Sequence, residues 1–292
     1  MSNFRFGTVG SPNSTPKKPG GSVGGLLRIS ELGLDVLELG WVQSVRVTEQ
    51  TCQDIRQAAQ EKDILVSVHA PYFINLNADE EEWPKSRKRL MDAAHYGNLA
   101  GATDIIFHPG SYFGKPPQEV LPLAIERLGG CVEELRKAGN PVILRPETMG
   151  KSAMLGSLED TLAMSAAFQS AEFLKAKETP TVLPCLDFAH LHARAGDGSF
   201  NSYDEWSAVL AAYRDRLGKA ALGHLHVHMS GIEYGEKGEK NHLPLEKADL
   251  DVKALFRALH DFNCSGRILC ESPVMEDDAL KMKQIWTEVA GA

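Results

Sequence analysis

The stretch "ILVSVHAPYFINL", Ile64 to Leu76, is an apolar, β-branched run that stops on an imidazole, a proline and an asparagine. Its composition predicts a buried parallel strand, and its end at His69 places a polar group where that strand leaves the core. The same pattern recurs along the chain as "FRFGTV", "LDVLELG", "TDIIFH", "PVILRPE", "TVLPCLD", "LGHLHVH" and "RILCE". Between these runs, apolar residues adopt helical spacing near 20–33, 48–61, 84–100, 117–138, 157–175, 203–217, 249–262 and 277–290, with glycine stops in "ELGLD", "LAGATD" and "RKAGNP". Strands alternating with helices in eight units over 292 residues specify a single (β/α)8 TIM barrel domain, residues 1–292, rather than an open doubly wound sheet. In such a barrel the site lies at the C-terminal rim of the strands.

Composition narrows the classes further. The chain is 43% hydrophobic, enough for a large core, and its net charge of −8 excludes a general basic coat while leaving room for bound cations. "MSNFRFGTVG" lacks the pattern of a secretory leader, and no apolar run approaches the roughly 18 residues of a membrane span. A soluble, cytoplasmic protein with no membrane association is expected, and no protein partner can be read. Five cysteines without a CxxC pair indicate neither a disulfide framework nor a thiolate zinc site. The stretch "GSPNSTPKKPGGSVGG", Gly10 to Gly25, fits a loop on the top face.

The strand ends carry the chemistry. Strands three to eight finish at His69, His108, Glu147, Asp187, His228 and Glu271. Any one of these is more simply a hydrogen-bonded polar cap, but three imidazoles and three carboxylates converging on one mouth would repel and desolvate one another without cations. Mixed nitrogen and oxygen donors suit zinc, and manganese and iron accept the same set. A multinuclear metal site is therefore expected. His190, three residues after Asp187, can reach the same mouth, and His192 does so less well. In "YGEKGEKNHLPL", Glu239 and His242 can complete a separate site with His190; otherwise the alternating charges there read as a solvated loop. Of the alternating His224, His226 and His228, only His228 is assigned to the rim, the others lying deeper in the barrel. His95 and His260, on helices, read as structural. No P-loop, GxSxG or dinucleotide fingerprint is present.

"SVHAPYFINL", "IIFHPGS", "ETMGK", "CLDFAHLHA", "HMSG" and "ILCESP", in this order, resemble the signature segments of the endonuclease IV family of apurinic/apyrimidinic endonucleases, a resemblance spanning roughly residues 64–275. It implies a (β/α)8 barrel with two or three zinc ions that cleaves double-stranded DNA 5′ to abasic sites in base excision repair. It implies that His69, His108 and Glu147 hold one metal, that Glu147 bridges to a second held by Asp187, His228 and Glu271, and that His190 joins a third. Glu239 and His242 stand where the family carries an Asp-x-His pair, with shifted spacing. Tyr72 matches a residue that meets DNA near the lesion, whereas the loop after the second strand is the short "WVQSVRV", with only Arg46, and the loop after the first strand has no histidine.

Phosphodiester hydrolysis needs a nucleophile at neutral pH and neutralised phosphate charge, and clustered metals supply both through a bound hydroxide. Glu147 and Glu271 are the expected catalytic carboxylates, with Tyr72 and Arg46 on DNA and Lys17, Lys18 and Lys115 as further phosphate contacts. "KSRKRL", Lys85 to Leu90, reads instead as the solvated face of a helix. A second class fits the same rim: a xylose isomerase-like sugar isomerase or epimerase needs one divalent ion, which Glu147, Asp187, His228 and Glu271 suffice to hold. A metal-binding barrel without catalysis is the third.

Overall fold

The computed structural model describes residues 4–169 and 180–291. In chain order its elements are β1 (Phe4–Val9), α1 (Gly21–Glu31), β2 (Val36–Gly40), α2 (Glu49–Lys62), β3 (Leu65–His69), α3 (Trp83–Leu99), β4 (Asp104–Phe107), α4 (Pro117–Lys137), β5 (Ile143–Pro146) and α5 (Leu158–Ala166). There follow β6 (Cys185–Asp187), α6 (Phe188–Arg194), α7 (Tyr203–Leu217), β7 (Leu225–Met229), β8 (Gly231–Gly235), β9 (Gly238–Leu243), α8 (Val252–Asp261), β10 (Gly266–Cys270) and α9 (Glu276–Ala290). Eight parallel strands pair in the order β5-β4-β3-β2-β1-β10-β7-β6. Parallel bridges Leu144–Val182 and Glu147–Cys185, with the Thr148 amide donating to the Cys185 carbonyl at 3.0 Å, bring the two edges together. The expected TIM barrel is thereby realised.

The sequence explains the local choices. Ser157 with Asp160 and Ser202 with Glu205 form reciprocal capping boxes that start α5 and α7. The helices lay apolar stripes on the strands, where Trp206, Tyr213, Phe188 and Phe256 are fully buried. Gly7 lies where β1 meets β2 so closely that a Cβ would fall 1.9 Å from the Val36 carbonyl oxygen, so glycine is required there. All five cysteines are free and buried. The predicted helix 157–175 is observed as α5, and residues 170–175 of that prediction lie outside the described residues.

A buried ion cluster lies on β4, β5 and β10, away from the rim. Asp104 accepts from Arg145 Nε at 2.7 Å and pairs with Arg267 at 3.0 Å, while Arg145 also donates to the carbonyls of Pro184 and His224. Burial disfavours the Asp104 carboxylate, but the two guanidiniums outweigh it and hold its pKa below the ordinary range.

Two segments depart from expectation. "YGEKGEKNHLPL" is not a solvated loop: β8 and β9 form an antiparallel hairpin with Gly235 opposite Gly238, and Gly238 takes a φ of 93° that favours glycine. One of its charges, Lys240, pairs across the strands with Glu233 at 3.3 Å. The second departure is His224, which is not inside the barrel. It closes a 3-10 turn, Lys219–His224, ahead of β7 and is exposed, because the strand begins only at Leu225.

Candidate metal centre

Parallel strand register puts the polar strand ends at one rim. His69 is the last residue of β3, His108 and Glu147 follow β4 and β5 directly, Asp187 ends β6, His228 lies near the end of β7 and Glu271 follows β10. Apart from His108 and Glu271, which are partly exposed, all are buried.

Glu147 is the hub. Its Oε2 faces His69 Nε2 at 3.2 Å and His108 Nε2 at 3.3 Å, while its Oε1 faces His228 Nδ1 at 3.3 Å and His190 Nδ1 at 3.5 Å. Glu271 Oε1 is 3.3 Å from the same His228 Nδ1. A second group adjoins the first. Asp187 Oδ2 is 3.3 Å from His190 Nδ1, and His190 Nε2 faces His242 Nε2 at 3.3 Å and Glu239 Oε2 at 3.5 Å. Donor atoms of His69, Glu147, His228 and Glu271 fall within 4.8 Å of one another, as do those of Asp187, His190 and His242.

Local structure explains these placements. Asp187 caps α6 by accepting from the His190 amide at 2.7 Å, so the first helical turn turns His190 back over the mouth. Glu239 and His242 arrive on β9, which is pinned by the Glu239 amide donating to the Gly150 carbonyl at 2.9 Å. Gly150 leaves the room, since a Cβ there would lie 2.7 Å from the Cβ of Glu239 and 3.0 Å from the His190 ring.

The electrostatics are divided. Burial opposes ionisation of Glu147, yet His228, His108 and His69 hold its pKa well below normal, whereas burial and the Glu147 charge raise that of Glu271. Burial likewise opposes a charge on His190, but Asp187 and Glu147 push its pKa up to about 9. Burial lowers that of His108, with His69 and His190 acting in the same direction.

His69, His108, His190, Glu239, His242 and Glu271 line a cavity of about 370 Å³, walled also by Tyr72 and Met149, with Glu147, Asp187 and His228 buried behind them. Tyr72 is 46% exposed and stacks on His108 with ring centroids 5.0 Å apart. An adjoining cavity of about 470 Å³ shares Tyr72 and carries the exposed Phe73 and Phe113. Arg46 is exposed on the loop after β2 and does not line the histidine cavity; Lys17, Lys18 and Lys115 are exposed on loops. His192 points away from the cluster, bonded to the Ser199 carbonyl and Asp249. "KSRKRL" is an ion-paired helix face, with Lys85 on Glu82 and Lys88 on Asp92.

The sequence reading missed Glu38. This fully buried carboxylate of β2 contacts His226 and His228 beneath the rim. Its signal was a lone acid inside the otherwise apolar "LDVLELG", a place where a charge survives only with partners.

The donor set fits cations. Imidazoles and carboxylates meet at separations longer than charge-assisted hydrogen bonds, and the buried Asp187 Oδ2 has no hydrogen-bond partner among the described residues.

Comparison with known proteins agrees with this fold. Residues 26–289 match the model of the xylose isomerase-like TIM barrel, and the chain belongs to that family. Within it, the chain is 33% identical over 232 residues to endonuclease 4 of Thermus thermophilus, covering 76% of this chain and 75% of that protein. It is also 33% identical over 285 residues to an uncharacterized protein of Methanocaldococcus jannaschii, covering 97% of each. Among solved structures, an endonuclease IV from Thermus thermophilus superposes with a TM-score of 0.71 at 20% identity, over 98% of this chain and 99% of that one. A D-tagatose 3-epimerase-like protein superposes with a TM-score of 0.69 at 17% identity, over 92% and 96%. Both superpositions speak for the fold alone. No described helix is long and apolar enough to cross a membrane.

Proposed function

We propose that the chain is a metal-dependent phosphodiester hydrolase that incises double-stranded DNA 5′ to abasic sites. The observation that carries this reading is the two-sided environment of Glu147, whose oxygens face different imidazole pairs, His69 with His108 and His228 with His190. A carboxylate so placed suits a bridge between two cations, which isomerisation at a single ion does not need.

His69, His108 and Glu147 would hold one ion, Glu147, Asp187, His228 and Glu271 a second, and His190, His242 and Glu239 a third, with zinc the first choice for this donor set. When bound, such ions acidify water and neutralise phosphate oxygens. The chain's own residues do the rest. Glu147 stays ionised between the imidazoles, and Glu271, on the cavity wall, is placed to accept a proton from the attacking water. Tyr72, with Phe73 and Phe113 beyond it, offers ring faces on which an opened strand can stack beside the cluster. Arg46, Lys17, Lys18 and Lys115 supply phosphate contacts around an otherwise acidic chain.

Incision of a duplex carrying one tetrahydrofuran abasic analogue, with and without chelation, tests the reading alongside elemental analysis. Chelator-sensitive cleavage 5′ to the analogue with two or three metals per chain is expected. An intact duplex and one metal per chain would sink it in favour of a sugar epimerase, and an intact duplex with several metals would move it to another phosphoester.

Gly150→Ala gives a narrower check. The added methyl must displace Glu239 or the His190 ring. Metal content should fall by one ion per chain while the ions at His69 and Glu147 remain; unchanged content would remove Glu239 and His190 from a shared site.

A further inference from the structure

Beneath the rim, Glu38 contacts Ser67 and His226, which the proposed chemistry does not use, and the back of His228, which it does. We propose that Glu38 is a positioning residue that fixes His228 with Nδ1 toward the carboxylates of Glu147 and Glu271 and Nε2 protonated behind it. The inference rests on the metal-centre reading above.

Glu38 lies in β2 between Leu37 and Leu39 and is fully buried. Its Oε2 accepts from Ser67 Oγ at 2.7 Å and from His226 Nε2 at 2.9 Å. Those two donors, from β3 and β7, hold the carboxylate in one orientation. Its Oε1 is then presented 2.9 Å from His228 Nε2. The two atoms are not aligned as a linear hydrogen bond, and neither has another hydrogen-bond partner among the described residues.

The opposite nitrogen, His228 Nδ1, lies 3.3 Å from both Glu147 Oε1 and Glu271 Oε1. A neutral imidazole has one N–H and one lone pair. Nδ1 is in hydrogen-bond geometry with Glu147 Oε1; with a cation on the lone pair of that nitrogen, the single N–H falls to Nε2, where the Glu38 carboxylate accepts it. The carboxylate behind a histidine ligand thus sets its tautomer and ring orientation. The ring of His69, stacked against that of His228 with centroids 5.9 Å apart, restricts rotation. A competing arrangement uses the same atoms: Cys185, His226 and His228 also bring donors within 4.8 Å of one another, which would suit a deeper ion. The Glu38 contacts at 2.9 Å occupy Nε2 of both histidines and favour the positioning role.

Zinc-loaded protein labelled with 15N-histidine tests this, with His228 assigned by the loss of its cross-peaks in His228→Gln. Long-range proton–nitrogen correlations should show His228 protonated at Nε2 and metallated at Nδ1. Glu38→Gln should weaken zinc binding by roughly 10–100-fold in chelator competition, the usual loss for an outer partner of a ligand. Ser67→Ala, which removes one of the two donors to Oε2 and leaves His226, should weaken it less and in the same direction, and it stands in if Glu38→Gln does not fold. Metallation of His228 at Nε2, or a folded Glu38→Gln protein with wild-type zinc affinity, would overturn the inference and leave the metal centre standing. A wild-type protein that takes up no zinc would overturn both.

Discussion

Glu147→Gln should leave a folded barrel that loses at least one metal ion and all detectable incision. The substitution keeps shape and volume, so packing is preserved. An amide, however, has one accepting oxygen and one NH2 donor. Whichever way the new side chain turns, it presents a donor either to His69 and His108 or to His228 and His190. One side must lose its shared ligand. Removal of an outer partner typically costs about 10–100-fold in affinity, and loss of a bridging ligand should cost at least the upper end of that range. Elemental analysis and the incision rate on the abasic duplex check this together; a folded variant with wild-type metal content and rate would remove Glu147 from the centre of the reaction.

Asp104→Asn should have the largest effect on stability. The carboxylate is 1% exposed and neutralises Arg145 and Arg267, of which Arg145 is itself buried. Breaking a buried pair by removing one partner typically costs about 3–5 kcal/mol, because a desolvated charge is left behind. Urea unfolding should register that loss, and a change under about 1 kcal/mol would mean that water reaches the guanidiniums. The pH dependence has a definite sign. The folded pKa of Asp104 lies below its unfolded value of about 3.9, so its stabilisation is complete above about pH 4 and is lost as the pH falls from there toward the depressed folded value. The variant should lack that part of the acid destabilisation.

Much of this was legible in the chain because barrel strands have a direction. A run such as "ILVSVH" marks its own C-terminal end by the switch from apolar to polar, and six of the eight runs identify a rim residue in this way without reference to one another. That is why His69, His108, Glu147, Asp187, His228 and Glu271 could be gathered in advance. The hairpin β8–β9 was less legible, since its pairing lies across strands and its alternating charges look the same when solvated.

Sequence alone determined the (β/α)8 fold and the polar residues of its rim, since periodicity and strand ends are local properties of the chain. Tertiary structure decided what depends on distance between remote segments: which oxygen of Glu147 faces which imidazoles, that the hairpin carries Glu239 and His242 onto His190, that His224 stays outside the barrel, and that Glu38 lies 188 residues from His226 in sequence yet 2.9 Å from it in space. Hydrogen bonds and ion pairs are set by ångström separations that no spacing along the chain encodes.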